Sequence, residues 1–341
     1  MKTMIRFFLQ AISFMIFFIL LPIVLLVAQL WSFGALFYCS FPAHPGWQLY
    51  AAWGYVALVL LAILWVRNYR MALGVALAAF LAVLCWFQSI QPSTGGVYPP
   101  HLVMPEVEFR GDKVTIHNVR NSDYRTRDDA DIRYETRTYS LSELKTLDVM
   151  VNYWGMDWIA HTFLSFGFSD GRYLSVSVEI RPEVGKSYGE LKGLFKQYQL
   201  IYIWADERDL VRVRTNYRKE DVYLYRTAFT PGQVRRLFVS MLERTERLHQ
   251  RPEFYNTLTQ SCTNTLGNHI IETKIFDLPF WKRRVLTGSV DLRLCQEGLL
   301  ETSGRSFAEL REQSKINERA KSADKDPDFS AKIRTHLRAI S

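Results

Sequence analysis

The chain has 341 residues, 48% of them apolar, and a formal net charge of +8. That length holds one ordinary domain plus further parts. No charged residue lies between Arg6 and Arg67, which excludes a purely soluble protein. The basic excess flanks hydrophobic segments and forms no stripe beside a reading helix or an aromatic platform, so it is read as topology and membrane-surface contact, with no nucleic-acid partner. The four cysteines contain no CxxC and the seven histidines no HExxH spacing, so no metal or other cofactor is expected.

Residues 1–87 read as a transmembrane anchor. Phe7 to about Leu30 is long enough to span a bilayer and follows Lys2 and Arg6. A signal peptide would have a shorter apolar core and a small-residue cleavage site after it. After a polar break at Ser40–Gly46, Trp47–Val66 forms a second span, and the basic loop Arg67–Arg70 leads to a third at Met71–Phe87. Trp31, Trp47, Trp65 and Trp86 fall near span ends, as interfacial aromatics do. The positive-inside rule puts Lys2, Arg6, Arg67 and Arg70 in the cytoplasm. Three spans then leave everything after Phe87 on the far side, which is the periplasm for a protein of a bacterial inner membrane.

Residues 88–105 contain Pro-Ser-Thr-Gly-Gly and Pro-Pro and read as a linker. The domain expected over residues 106–300 starts with a hairpin, Val107–Phe109 and Val114–Val119, turned at Gly111-Asp112-Lys113. Residues 121–131 are polar and read as a loop. Arg133–Leu141 and Asp148–Trp154 read as strands, and Ala160–Phe168 with Tyr173–Arg181 as a hairpin turned at Ser169-Asp-Gly-Arg172. Ser187–Tyr198 reads as a short helix, and Ile201–Ala205, Leu210–Tyr217 and Val222–Ala228 as further strands. Thr230-Pro231-Gly232-Gln233 is a capping box with proline at the first helical position, so a helix is expected from there to about His249. Residues 301–341 form a charged C-terminal tail, low in large apolar residues, expected to be a peripheral helix or partly disordered. The pattern is an α+β domain with an antiparallel sheet behind a three-helix membrane anchor.

One stretch carries a candidate nucleophile. Tyr255–His269 places Cys262 in a polar run rich in Thr and Asn, and Leu266, Ile270 and Ile271 recur after it at helical spacing. Cys262 is therefore expected at the first turn of a helix, where unpaired N–H groups and the helix dipole favour a thiolate. Such a thiol needs an imidazole, and the imidazole an orienting group. His161, on the Ala160–Phe168 strand, is the candidate base. Glu179, on the partner strand, is the candidate orienter, subject to the turn between the strands: a two-residue turn sets Ile180 opposite His161, whereas a three-residue turn sets Glu179 there. His269 is a rival base but lies two helical turns from Cys262, and His249 ends the preceding helix. A Cys262–Cys295 disulfide is the competing use of the thiol in an oxidising compartment. Cys39 and Cys85 lie at span ends and read as packing residues.

These residues carry a resemblance. Ile159-Ala-His161-Thr-Phe-Leu-Ser165-Phe-Gly167-Phe-x-Asp-Gly171, Ser175-Val-Ser-Val-Glu179-Ile-Arg181 and Tyr255-Asn-Thr-Leu-Thr-x-x-Cys262-Thr resemble the Lnb-type N-terminal periplasmic domain family. Val119-Arg-Asn-x-Asp-Tyr-Arg125 and Gly193-Leu-Phe-x-Gln-Tyr198 fit the same pattern. The His-before-Cys order also resembles circularly permuted papain-like folds such as the lecithin:retinol acyltransferase group. The Lnb resemblance implies acyl transfer from a membrane phospholipid, through a thioester on Cys262 with His161 as base, to a lipoprotein N-terminus or other amine acceptor. The second half of longer family members is not evident, and three N-terminal spans depart from the pattern. Phe280-Trp-Lys-Arg-Arg284 would suit a lipid surface. The alternatives are a periplasmic cysteine peptidase or amidase acting on cell-wall peptides, and a non-catalytic membrane-anchored binding protein. The topology is tested by a reporter fused after Ser341, which should be active only as a periplasmic type. Activity of a cytoplasmic-only reporter there would overturn it.

Overall fold

A computed structural model describes residues 14–39, 46–92, 101–155, 160–183, 188–276 and 289–337, with Ile5, Phe8, Gln10, Ile12 and Gly96 besides. The chain divides into two units, Met1–Ser93 with Tyr188–Gln197, and Thr94–Ser187 with Tyr198–Ser341.

The first unit contains three helices long and apolar enough to cross a membrane, Ile16–Tyr38, Trp47–Trp65 and Tyr69–Ser89. The first begins with a π-helical turn, Ile16–Leu20, that passes into α1, Leu21–Tyr38. Pro22 stands at the start of α1, and its missing N–H disturbs the regular ladder there. This helix runs past the expected end at Leu30 because residues 31–38 stay apolar and contain no proline. The expected start of that span lies largely outside the described residues. In α2, Trp47–Trp65, and α3, Tyr69–Ser89, most side chains face outward, as lipid contact requires. Asn68 caps α3 by accepting from the N–H of Arg70 at 2.9 Å. Gln29 joins the three helices, donating to the Ala76 carbonyl at 2.9 Å and accepting from the Tyr55 hydroxyl.

The Tyr188–Gln197 segment belongs to this unit. It contains one 3-10 turn, Lys192–Leu194, instead of the expected short helix. The Phe195 ring fills the space over Gly34, where a Cβ would overlap it. Lys196 donates to the carbonyls of Phe87 at 2.7 Å and Ile90 at 3.1 Å.

The second unit is built on one sheet. Its strands are β1 Glu106–Arg110, β2 Lys113–Arg120, β5 Tyr134–Ser140, β6 Leu144–Tyr153, β7 Ala160–Phe168, β8 Tyr173–Arg181, β9 Gln199–Ala205 and β10 Asp221–Arg226. The short pair β3 Asp123–Tyr124 and β4 Ala130–Asp131 stands in the segment read as a loop, closed by an Arg125–Asp129 ion pair. The order in the large sheet is β1-β2-β9-β8-β7-β6-β10, with β5 pairing β2. Every pairing is antiparallel except Arg120 with Ala205, which joins β2 to β9.

Both faces of the central strands are covered. On one, α5 (Pro231–Gln250) starts at the Thr230–Gln233 capping box, with both reciprocal hydrogen bonds made. It packs Phe238 against Phe166, Phe168 and Trp204. On the other, Met150, Phe163, Ile201 and Ile203 form a core with Leu210, Ile316, Ala320, Phe329 and Ile333. Leu210–Tyr217, expected as a strand, is α4 (Glu207–Arg212) followed by a π-helical turn, Val213–Tyr217. Asp206 caps it, its carboxylate accepting from the N–H of Arg208 at 2.9 Å. An apolar run of this length cannot be told from a buried helix by period alone.

The residues expected as a charged tail pack closely. Here α7 (Phe307–Ser314), α8 (Asn317–Ser322) and α9 (Phe329–Lys332) close the second face of the sheet. The buried Arg334 guanidinium contacts Asp148 at 2.7 Å and grips Glu207 through both of its terminal nitrogens, at 2.7 and 2.5 Å. Its stem is short of partners in sequence, so the charge reads as solvated until the fold places it. Arg334→Ala would leave two buried carboxylates with fewer counter-charges, and such losses cost about 3–5 kcal/mol. Denaturant unfolding of the full chain should register a loss of that order. A change under about 0.5 kcal/mol, the surface norm, would mean that this segment is not part of the folded unit.

Candidate functional site

The β7–β8 turn decides where the acidic group goes. The Phe168 N–H donates to the Arg172 carbonyl at 3.0 Å and the Gly171 N–H to the Phe168 carbonyl at 3.1 Å, so Ser169, Asp170 and Gly171 form a three-residue turn. Gly171 takes a φ of +83°, a left-handed conformation that favours glycine. The pairing that follows runs to Leu164 with Val176, and its register, carried on past the last pair, sets His161 on a level with Glu179. The side chains meet: His161 Nε2 lies 3.2 Å from Glu179 Oε1.

Between them sits Ser177, which the sequence reading quoted in a motif but gave no role. Its hydroxyl lies 2.7 Å from His161 Nε2 and donates to Glu179 Oε1 at 2.7 Å. With its proton directed to the carboxylate, Ser177 accepts from the imidazole N–H. The other ring nitrogen, Nδ1, is left for the thiol. Arg214, from the π-helical turn, completes the group by donating to Glu179 Oε1 at 2.6 Å. No signal in the sequence marks Arg214, because the segment carrying it reads as a strand.

Cys262 is the first residue of α6, Cys262–Glu272, and Ser261 caps the helix by accepting from the N–H of Asn264. The thiol is half-buried and free, as is Cys295. The His161 ring and the Thr162 backbone are close enough to act on its ionisation. Burial pushes the thiol up, but the His161 charge and hydrogen bonds from His161, Thr162 and Thr263 outweigh it, so Cys262 is held below the usual thiol range. Burial pulls His161 down, yet Glu179 and the thiolate raise it to about 9. Burial alone would raise Glu179, but His161 and Arg214 keep it well below the usual carboxylate range. The three shifts favour the thiolate, imidazolium and carboxylate forms.

The other candidates lie elsewhere. His269 is buried, bound to the Tyr202 hydroxyl at 2.9 Å and the Ser240 hydroxyl at 2.8 Å, and is lowered to about 4 by burial and then by Arg244 and Arg247. His249 is exposed in the last turn of α5. Phe280–Arg284 falls outside the described residues. A groove of about 460 Å³ beside α5 and α6, lined by Arg235, Arg236, Arg247, Glu243 and Glu272, includes neither Cys262 nor His161. Among the described residues no cluster of His, Cys, Asp or Glu could hold a metal ion.

The charge states set a pH dependence. The thiolate forms as pH rises through the lowered Cys262 value, and its imidazolium partner is lost only as pH rises through about 9. Iodoacetamide labelling of Cys262, followed by peptide mass, should reach half its maximal rate below the ordinary thiol range of about 8–9. In His161→Ala the midpoint should move upward, since burial is then opposed only by Thr162 and Thr263. An unchanged midpoint would separate the two groups chemically.

Residues 130–286 match the family model described as the Lnb N-terminal periplasmic domain. No curated protein and no solved structure matches the chain. The matched range includes His161, Ser177, Glu179, Arg214 and Cys262. Preceded by three helices apolar enough to cross a membrane, the stretch that holds this site is similar to the Lnb N-terminal periplasmic domain family over residues 130–286.

Proposed function

We propose that the protein is a membrane-anchored thiol acyltransferase of a bacterial inner membrane, with its catalytic domain in the periplasm. It moves an acyl chain from a membrane phospholipid, through a thioester on Cys262, to an amine acceptor of the lipoprotein N-terminus type. The observation that carries the reading is the Cys262–His161 pair at a helix start, in a domain linked to apolar spanning helices.

The chemistry follows from the groups present. The Cys262 thiolate attacks the ester carbonyl, and its carbon–sulfur bond forms as the carbonyl oxygen takes up negative charge. The N–H groups of the first turn of α6 have no acceptor within the helix, and Ser261 takes only that of Asn264. The N–H groups of Cys262 and Thr263 thus suit the developing oxyanion. His161 then gives its proton to the departing lyso-lipid oxygen, which leaves the thioester and a neutral imidazole. The amine attacks the thioester, His161 takes the amine proton, and the thiolate departs to restore the resting pair. A cysteine hydrolase would run the same first half with water as the second nucleophile.

Intact-mass analysis of the purified full chain with phospholipid should find an acyl adduct that is lost on hydroxylamine treatment and absent in Cys262→Ser as a thioester. No adduct under turnover conditions would overturn the reading, and release of free fatty acid without amine acylation would reassign it to a hydrolase. His161→Ala should slow acylation by about 10²–10⁴ while the protein stays folded, the usual loss for a general base. Glu179→Gln should cost less, because an orienting group exchanges no proton. Retained specific activity in folded His161→Ala would undo the pair.

A further inference from the structure

We infer that Arg214 is a positioning residue for the thiol–imidazole pair: it clamps the Glu179 carboxylate, and through Glu179 and Ser177 it sets the His161 ring against Cys262. The inference rests on the thiol-enzyme reading above but not on any particular acyl donor or acceptor.

The geometry is that of a fixed clamp. The Arg214 guanidinium is 5% exposed and held from three sides. One terminal nitrogen donates to the Leu210 carbonyl at 2.7 Å, the other to Glu179 Oε1 at 2.6 Å, and the guanidinium carbon lies 4.9 Å from the centre of the Phe163 ring. Phe163 is on the same strand as His161, two residues on, and therefore on the same face. The backbone supporting Arg214 is the π-helical turn Val213–Tyr217, closed by the Arg218 N–H donating to the Val213 carbonyl at 2.8 Å. Such turns are rare and recur at functional sites.

A buried arginine–glutamate pair has a plain structural use, but here the shared atom matters. Glu179 Oε1 receives Arg214, Ser177 and the approach of His161 Nε2 together. A carboxylate oxygen so occupied cannot rotate away from the imidazole without breaking the Arg214 and Ser177 bonds. Ser177 in turn accepts from the imidazole only while Glu179 takes the serine proton. The chain Arg214–Glu179–Ser177–His161 thereby fixes one ring orientation, with Nε2 engaged by Ser177 and Nδ1 the remaining ring nitrogen.

The charges around the group belong to several elements. His161 on β7 faces Glu179 on β8 and Cys262 on α6. Glu179 faces Arg214 and also His101, from the segment before β1. Arg214 lies within the field of Arg120 on β2, Arg218 after the π-helical turn, and Glu220. Removing Arg214 therefore has two separable effects. Through space, losing a positive charge raises the His161 midpoint. Through position, freeing Glu179 weakens the imidazolium and lowers it.

The test reads Cys262 in the full-length protein by iodoacetamide labelling against pH, the His161 midpoint by ring-proton NMR, and the thermal midpoint on the same samples. In Arg214→Met the Cys262 midpoint should rise by about one pH unit, which cuts labelling below it about tenfold, and the His161 midpoint should fall. Arg214→Lys keeps a donor and a charge and should recover most of the labelling rate. Should Arg214→Met fail to fold, Arg214→Met/Glu179→Gln removes both charges and leaves no lone buried carboxylate. Its labelling profile should equal that of Glu179→Gln alone, since both changes act on one chain. A lowered thermal midpoint with unchanged Cys262 and His161 profiles would overturn the inference, as would a raised His161 midpoint or a double variant differing from Glu179→Gln. Because labelling needs no lipid, absence of acyl transfer leaves the test intact.

Discussion

Glu179 is an anion in a setting that disfavours anions. Its side chain is only 20% exposed. A charge so placed persists only where donors and counter-charges surround it, and Ser177, Arg214 and His161 supply them. The requirement then spreads. Arg214 needs the Leu210 carbonyl and the Phe163 ring, so α4 and the π-helical turn have to lie on that face of the sheet. His161 needs its thiolate, so α6 has to begin beside β7. Much of the architecture around the centre of the sheet follows from keeping this one carboxylate charged.

The same arithmetic recurs on the helical side of the sheet. Asp148 and Glu207 are buried and share Arg334, with Arg226 also on Asp148, while Arg120 meets Asp209 through two nitrogens at 2.9 and 2.8 Å. Buried pairs of this kind add little net stability compared with apolar packing, but each is costly to break. Arg334 brings charge from the far end of the chain to a core that would otherwise hold excess carboxylate. That requirement, as much as the apolar contacts of Ile316, Phe329 and Ile333, explains why the C-terminal helices are folded onto the sheet.

The sequence made legible what depends on local rules. Thr230-Pro-Gly-Gln predicts a helix start by short-range hydrogen bonding, and the capping box is there. Leu266, Ile270 and Ile271 at helical spacing predict a helix with Cys262 in its first turn, and α6 begins at Cys262. Asp170-Gly171 predicts a turn, but two turns share that signal and differ by one residue of register. Only the Phe168–Arg172 pairing separates them, and with it whether Glu179 or Ile180 faces His161. What long-range charge decides stayed hidden. Nothing near Arg334 or Arg214 in sequence announces a buried carboxylate partner, since Asp148 and Glu179 lie on other elements. The strand read over Leu210–Tyr217 failed for a related reason: its apolar residues suit either structure, and the cap at Asp206 was the deciding signal.

The two histidines of the nucleophile region illustrate how neighbours, not residue type, assign a role. Both are largely buried, and burial lowers each. At His161 the surrounding charges are a carboxylate and a thiolate, and they carry the ring past its ordinary value to about 9. At His269 they are Arg244 and Arg247, which add to burial and leave it neutral near 4. A neutral ring has one donor and one acceptor, and His269 uses them on Ser240 of α5 and Tyr202 of β9. It thereby ties the middle of α6 to the helix and the strand beneath it, two turns from the thiol. With Leu266 packed in the core, that tie resists rotation of α6, and a rotation of α6 would swing Cys262 away from the imidazole. The histidine that looks from sequence like a rival base is thus a buried tie, with burial and two arginines disfavouring its protonation.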